Sequence, residues 1–302
     1  MSNCIVLTAN KSYIKYAEFV AWQLRQVIRE TERIFIATVD GSSEDLQHQV
    51  AEIMRIQVSD CLADLPTNAR LQNYAYWRID AINELAQSFD KVLYLDCDLF
   101  VTGTCLEDIF KIDLHGAPIA AVRDVHQSIR PKRFAREFRT LNLNNAPYFN
   151  SGVLLIDSSA FREHRVFKHI TEIANQTPTI LSAHDQSLLN IACHQNWCEL
   201  SPVWNWQYSR RNKFITPHID LELIHFAGPN KPWNDPQYDL PQFARASFLR
   251  FAGLPDNSKF THSSNDFFDC ALAFKNYYYK NAYKRWLTQF PNKLDGRLIA
   301  PS

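Results

Sequence analysis

Glycine is scarce in this chain, seven in 302 residues, and the scarcity excludes several ways of holding a phosphate. Neither GxGxxG nor GxxxxGK[ST] is present, so a Rossmann dinucleotide turn and a P-loop are both disfavoured. The absence of HExxH and GxSxG sets aside zinc peptidases and serine hydrolases. The seven cysteines, at 4, 61, 97, 105, 193, 198 and 270, form no CxxC pair, which points to reduced thiols in a cytosolic setting rather than to zinc or a redox couple. Charge of one sign is lacking too: Lys+Arg and Asp+Glu are 32 each, so no overall attraction to nucleic acid is expected and any basic patch must be local. No apolar run approaches the roughly 18 residues that cross a bilayer, and no charged, apolar-centred signal opens the sequence, so neither a membrane span nor standard secretion is expected.

What is present is ordinary for a globular enzyme, with 46% hydrophobic, 13% aromatic and 21% charged residues, enough for one large core or two modest ones. Strand-like runs at 3–10, 33–40, 54–60, 91–101, 118–124, 148–157 and 221–228 are separated by helical periodicity at 13–29, 43–53, 71–89, 158–175 and 184–194. Such alternation predicts an α/β fold with a mostly parallel sheet, whose ligands collect beyond the carboxyl ends of the strands.

Two acids interrupt the apolar run KVLYLDCDLFV at 91–101. On a continuous strand Asp96 and Asp98 point the same way with Cα atoms roughly 7 Å apart. Near a core, carboxylates so placed take up a proton or share a cation.

The DCD element resembles the DxD motif of nucleotide-sugar transferases. With YFNSGVLLID, HDQSLLN and IHFAGPNKPW following in order, the chain from about residue 4 to 233 is similar to glycosyltransferase family 8, that of glycogenin and the bacterial lipopolysaccharide glucosyl- and galactosyltransferases. The resemblance implies a GT-A type nucleotide-sugar-binding domain, over 1–252. It also implies a divalent ion, Mn2+ or else Mg2+, and transfer of a hexose from a UDP-sugar with retention at the anomeric carbon. Asp96, Asp98 and His225 would be the metal ligands. Hard carboxylate oxygens suit both ions, and one imidazole shifts the choice toward manganese.

By the same resemblance, Thr8, Ala9, Asn10 and Tyr13 fall where family members contact uracil and ribose, although an acid is often found at the Asn10 position. Cys97 lies within the DxD element. Arg78 and Asp124 match positions beside the donor phosphates and sugar hydroxyls, Asn150 and Gly152 match the donor-sugar block, and Gly228 and Lys231 would approach the phosphates. Asp185 and Gln186 lie nearest the reacting face, as sugar-binding and charge-stabilising groups, with Asp185 a candidate nucleophile. More mundane roles compete: an acid opening a helix for Asp185, a surface ion pair for Arg78, and the start of the first helix for Tyr13.

Beyond a linker at 253–260, residues 271–302 carry six basic residues against one acid, with seven aromatics interleaved. Tyr279, Ala282, Tyr283, Trp286 and Phe290 recur at helical steps. This helical tail, 253–302 with its linker, is expected either to touch anionic lipid at the cytoplasmic face of the inner membrane or to pack on the catalytic domain. The expected acceptor is a glycan or glycolipid, foremost a lipopolysaccharide core or lipooligosaccharide. The competing functions are a glycogenin-like transferase with a soluble acceptor, a sugar-1-phosphate nucleotidyltransferase, and a non-catalytic glycan-binding protein.

Overall fold

The computed structural model describes residues 2–41, 43–65, 73–130, 132–176, 181, 183–209, 212–213, 215–228, 230–234, 241–255 and 270–300, with the backbone alone at 43, 73 and 270–277. In chain order the elements are β1 (Asn3–Thr8), α1 (Ile14–Leu24), β2 (Arg33–Thr38), β3 (Glu52–Arg55), α2 (Asp60–Ala63), α3 (Trp77–Leu85), β4 (Lys91–Leu95), β5 (Leu99–Val101), β6 (Ile119–Arg123), α4 (Val125–Ser128), α5 (Arg136–Thr140), β7 (Phe149–Asp157), α6 (Ser158–Glu163), α7 (Val166–Gln176), α8 (His184–Ala192), β8 (Trp197–Glu199), β9 (Trp206–Gln207), β10 (Leu223–His225), α9 (Gln242–Phe251), α10 (Cys270–Leu287) and β11 (Arg297–Ile299).

Eight strands make one sheet in the order β11-β8-β6-β7-β4-β1-β2-β3, and β5, β10 and β9 make a second. Four of the seven pairings in the large sheet are parallel and three antiparallel, so the expected α/β architecture with a mostly parallel sheet is what forms. The central strands β1 and β4 are covered on both faces, which is why they read as continuous apolar runs. Ile5, Leu7, Leu93 and Leu95 face one core with Phe19, Val20 and Leu24 of α1. Val6, Val92 and Tyr94, one residue out of phase, face the other with Ile79 and Ile82 of α3, Ile170 of α7 and Leu188 of α8.

Two helix expectations change. Residues 43–53 give only a short 3-10 turn at Ser43–Asp45, and β3 begins at Glu52. The buried Glu18 carboxylate of α1 accepts from the backbone N–H of Gln47 (2.9 Å) and His48, and Gln49 sits at φ +51°, so tertiary hydrogen bonds replace helical ones. The run at 158–175 divides into α6 and α7 where Arg165 adopts φ +51°.

The C-terminal segment contributes to the first core. Ala282, Tyr283, Trp286 and Phe290 are buried there, while Tyr278, Lys280, Lys284 and Arg285 lie on the surface. Tyr283, Trp286 and Phe290, three of the four aromatic side chains expected to anchor in lipid, are thus used in packing, each burying area worth roughly 1.5–3 kcal/mol. β11 then pairs with β8 at the sheet edge. α9 ends at Phe251, and Gly253 at φ +63° donates to Arg250 O; residues 256–260 of the expected linker lie outside the described residues. Among the described residues no helix is long and apolar enough to cross a membrane.

Candidate active site

β4 stops at Leu95, and Asp96, Cys97 and Asp98 form a turn that passes the chain from the large sheet to β5 of the small one. The single strand expected through both acids is therefore corrected to two strands and a turn. Asp96 N donates to Gly152 O of β7 (2.9 Å), and Phe226 N, just past β10, donates to Asp98 O (3.0 Å). The turn is pinned on both sides, and sheet geometry, not strand alternation, makes the two carboxylates converge.

His225 closes the cluster from β10. Its Nε2 stands 3.1 Å from Asp98 Oδ1 and 3.7 Å from Asp96 Oδ2, and one ligand atom from each of the three residues lies within 4.8 Å of the others. Gly152 makes the room: a Cβ there would stand 2.2 Å from His225 Cε1 and 2.9 Å from Asp96 Oδ2. The close approach of the imidazole requires glycine at 152.

A chain of buried amides sets the imidazole's protonation. Gly152 N, which can only donate, reaches Asn150 Oδ1 (3.1 Å), so that atom is the oxygen. Asn205 Nδ2 donates to the same oxygen (2.8 Å), which turns Asn205 Oδ1 toward His225 Nδ1 (3.0 Å). Nδ1 must then carry a proton, so that in the neutral ring it is the Nε2 lone pair that faces the two carboxylates. Asp98 Oδ1 is buried without a hydrogen-bond partner. Lone pairs 3.1 Å apart repel unless a proton or a metal cation lies between them, and the three converging donor atoms fit a divalent ion.

Arg78 is buried, not a surface residue, and is shared by two acids. Its Nη2 lies 2.9 Å from Asp96 Oδ1, and its Nη1 lies 3.2 Å from Asp185 Oδ2 and donates to Ser151 O (2.9 Å). Burial alone would lower its pKa, but Asp185 and Asp96 outweigh that and raise it. Tyr94 OH donates to Asp96 Oδ1 (2.8 Å), so Thr8 Oγ1 is the donor in its 3.1 Å contact with Tyr94 OH. For Asp185, burial pushes the carboxyl above its ordinary range against the opposing pull of Arg78 and of Ser151 Oγ, which donates to Oδ2 (2.9 Å). Asp98 goes the other way: burial would raise it, yet Lys231, together with His225 when its ring is protonated, holds it well below the usual carboxylate range. Lys231 Nζ contacts Asp98 Oδ2 and donates to Phe226 O (2.6 Å).

These groups border a cavity of about 550 Å³ whose walls include Thr8, Ala9, Tyr13, Asn150, Gln186 and Gly228. A Cβ built on Gly228 meets nothing within 4 Å, so its backbone adjoins open space. Gln186 is tied to the amide chain, its Oε1 accepting from Asn150 Nδ2 (3.0 Å) and Ser151 N (3.2 Å). Two sequence candidates, Asn10 and Asp124, are placed otherwise, while Cys97 lines the cavity without being free to ionise. Asn10 Oδ1 accepts from Ser12 Oγ (2.9 Å) and Tyr13 N (3.0 Å), fixing the approach to α1 instead of lining the cavity. Cys97 Sγ donates to Thr8 O (3.3 Å), and burial followed by Asp96 and Asp98 raises its pKa, so it stays a neutral thiol. Asp124 caps α4 by accepting from His126 N (2.9 Å) and lines a second cavity, of about 260 Å³, that shares Ala183 and Gln186 with the first.

Asn205, Ser151 and Tyr94 escaped the sequence analysis because their roles depend on contacts across strands, which no local spacing announces. The arginines of the second cavity, Arg133, Arg136 and Arg139, did leave a signal: RPKRFAREFR at 130–139 holds five basic residues and one acid.

The pattern described as glycosyl transferase family 8 matches residues 4–237. Over 55% of the chain the sequence is 34% identical to general stress protein A of Bacillus subtilis, covering 61% of that protein. Over 60% of the chain it is 28% identical to the lipopolysaccharide glucosyltransferase WaaO of Escherichia coli, covering 55% of it. The chain thus spans just over half to about three fifths of these relatives. Among solved structures, the galactosyltransferase LgtC in complex with donor and acceptor sugar analogs shares the fold, with a TM-score of 0.65 at 24% identity over 84% of this chain and 98% of that one.

Proposed function

This chain belongs to glycosyl transferase family 8, and we propose that it transfers glucose or galactose from a UDP-sugar to a glycan hydroxyl with retention of configuration. The observation that carries the reading is the convergence of Asp96, Asp98 and His225, with Nε2 bare, on one wall of a cavity that also holds Arg78, Asp185, Gln186 and Lys231. A divalent ion, manganese by the mixed oxygen and nitrogen donor set, would be held by Asp96, Asp98 and His225 and would supply positive charge to the diphosphate.

The chain's own groups do the rest. Gly228 lets backbone approach the phosphates, and Lys231 adds a point charge to them. Thr8, Ala9 and Tyr13 form the wall on which the nucleoside rests. As the bond from the anomeric carbon to the phosphate oxygen breaks, its electron pair leaves with UDP and positive charge builds on the sugar ring. Asp185 and Gln186 sit where they face that charge. Asp185 Oδ2 is already held by Arg78 and Ser151, which favours electrostatic stabilisation and sugar binding over a covalent role. The acceptor oxygen then bonds to the same face, and its proton passes to the departing phosphate oxygen. Likeness to a lipopolysaccharide glucosyltransferase supports a lipopolysaccharide-core or lipooligosaccharide acceptor. The burial of Tyr283, Trp286 and Phe290 supports a soluble glycan equally well, because it removes the anchor expected to hold the chain at a membrane.

A panel of UDP-sugars, followed for slow release of UDP without acceptor, tests the reading. Manganese-stimulated release from UDP-glucose or UDP-galactose, abolished by EDTA, is expected. No release from any UDP-hexose, or release indifferent to EDTA, would refute it.

A further inference from the structure

The second cavity carries chemistry that the donor site does not use. Arg133, Arg136 and Arg139 line it, all three are exposed, and among the described residues none of their guanidinium groups makes an ion pair or a hydrogen bond. Arg130 and Lys132 stand beside them in the sequence, exposed as well. The lining also holds two carboxylates, and each has an internal partner: Glu137 is buried and accepts from Ser187 Oγ (2.6 Å), and Asp124 caps α4. Three cations thus meet two engaged acids, in a chain whose overall charge balances. The two ends of the cavity differ. The Asp124 carboxylate provides a hydrogen-bond acceptor and the Gln186 side-chain amide, whose Oε1 is engaged, a donor, groups of the kind that bind sugar hydroxyls, and Gln186 and Ala183 are also walls of the donor cavity. The arginines provide planar donors suited to phosphate or carboxylate oxygens.

We propose that this cavity is the acceptor subsite and that the acceptor is an anionic glycan: a sugar whose reacting hydroxyl lies at the Gln186 end and whose phosphate or carboxylate substituent is held by Arg133, Arg136 and Arg139. The proposal rests on the reading of the adjoining cavity as a hexose-transfer site. It makes the arginine cavity the source of acceptor selectivity, distinct from the acid-imidazole cluster that serves the donor. An anionic lipid surface is the competing ligand, but the walls shared with the donor cavity, Ala183 and Gln186, favour a sugar that reaches from one cavity to the other.

The test uses the full chain with UDP and manganese present. Binding of mannose 6-phosphate, glucuronic acid and neutral mannose is compared by ligand-observed NMR, alongside inorganic phosphate and vesicles of phosphatidylglycerol, for the unsubstituted protein and for Arg136→Gln/Arg139→Gln. One or both charged sugars should bind at least about tenfold more tightly than mannose, and the double variant should lose about that factor, as the removal of charge-assisted contacts requires. Tighter binding of mannose 6-phosphate than of inorganic phosphate is expected as well. Equal binding of charged and neutral sugars would overturn the proposal, as would a preference unchanged in the double variant. Vesicle binding that falls in the variant while sugar binding does not would give the cavity to lipid instead. Release of UDP from UDP-hexose by the unsubstituted protein is measured on the same sample. Release without charge preference sinks this proposal alone, whereas absence of release sinks the transfer reading beneath it.

Discussion

Asp96, Asp98 and Asp185 share two permanent cations, Arg78 and Lys231, whereas Glu199 and Glu222 share three, Arg123, Arg297 and Lys293. Both clusters bury carboxylates, and Glu199 is fully enclosed. The first, however, is left with excess negative charge on the wall of a cavity, and the second is neutralised from within by residues that include two from the C-terminal segment. Burying charge is costly in either place. Where the charges pair off, they tie the end of the chain to the sheet. Where an acid excess and a bare imidazole nitrogen face open space, a ligand of opposite charge completes the balance. The number of charged groups, five in each cluster, does not separate a staple from a site; the sign of the imbalance does.

The sharpest way to break that contrast is Asp98→Ala. Loss of a metal-holding carboxylate is expected to reduce hexose transfer by about a thousandfold or more, with little change in the melting temperature. Equal losses of rate and of melting temperature would make the first cluster a staple like the second. Glu199→Ala should do the reverse: it leaves Arg123 without its partner and costs roughly 3 kcal/mol in urea denaturation, while kcat below the transition is unchanged. A stability change below about 0.5 kcal/mol, the range of an ordinary surface substitution, would show that the pairing carries no weight.

Asn205→Ala sharpens the comparison by acting on the imidazole alone. Without Asn205 Oδ1 the proton on Nδ1 is no longer fixed, and affinity for manganese should fall by about 10- to 100-fold, with the rate recovering at saturating metal. Unchanged metal affinity would separate Asn205 from the ion. The smallest effect is expected from Ser151→Ala. Ser151 Oγ stabilises the ionised Asp185, so its removal raises that carboxyl further and moves the acid limb of the pH–rate profile to higher pH. An acid limb that stays in place would mean that Asp185 does not titrate in the rate.

Much of the candidate site's cluster was legible because its parts are local. DCD, HDQ and HFAG each place a functional side chain at an element end, and the α/β alternation says where such ends gather. What could not be read depends on contacts between distant segments. The amide chain from Gln186 through Asn150 and Asn205 to His225 joins residues up to 55 positions apart in single steps. The helix expected at 43–53 gives way to a single buried glutamate on another element. Tyr279, Ala282, Tyr283 and Trp286 have one periodicity whether they face lipid or a core, so only the packing of α10 distinguishes the two. The basic run at 130–139 was visible in the sequence, but its meaning came from what lies beside it.

The central claim is that the acid-imidazole cluster holds a divalent cation on behalf of the donor diphosphate. Titration calorimetry of UDP with and without manganese, on the unsubstituted chain and on Asp98→Asn, tests it most directly. Manganese should tighten UDP binding by at least about tenfold in the former, a gain of about 1.4 kcal/mol, and leave it unchanged in the latter. Identical UDP affinity in the unsubstituted chain with and without manganese would contradict the account.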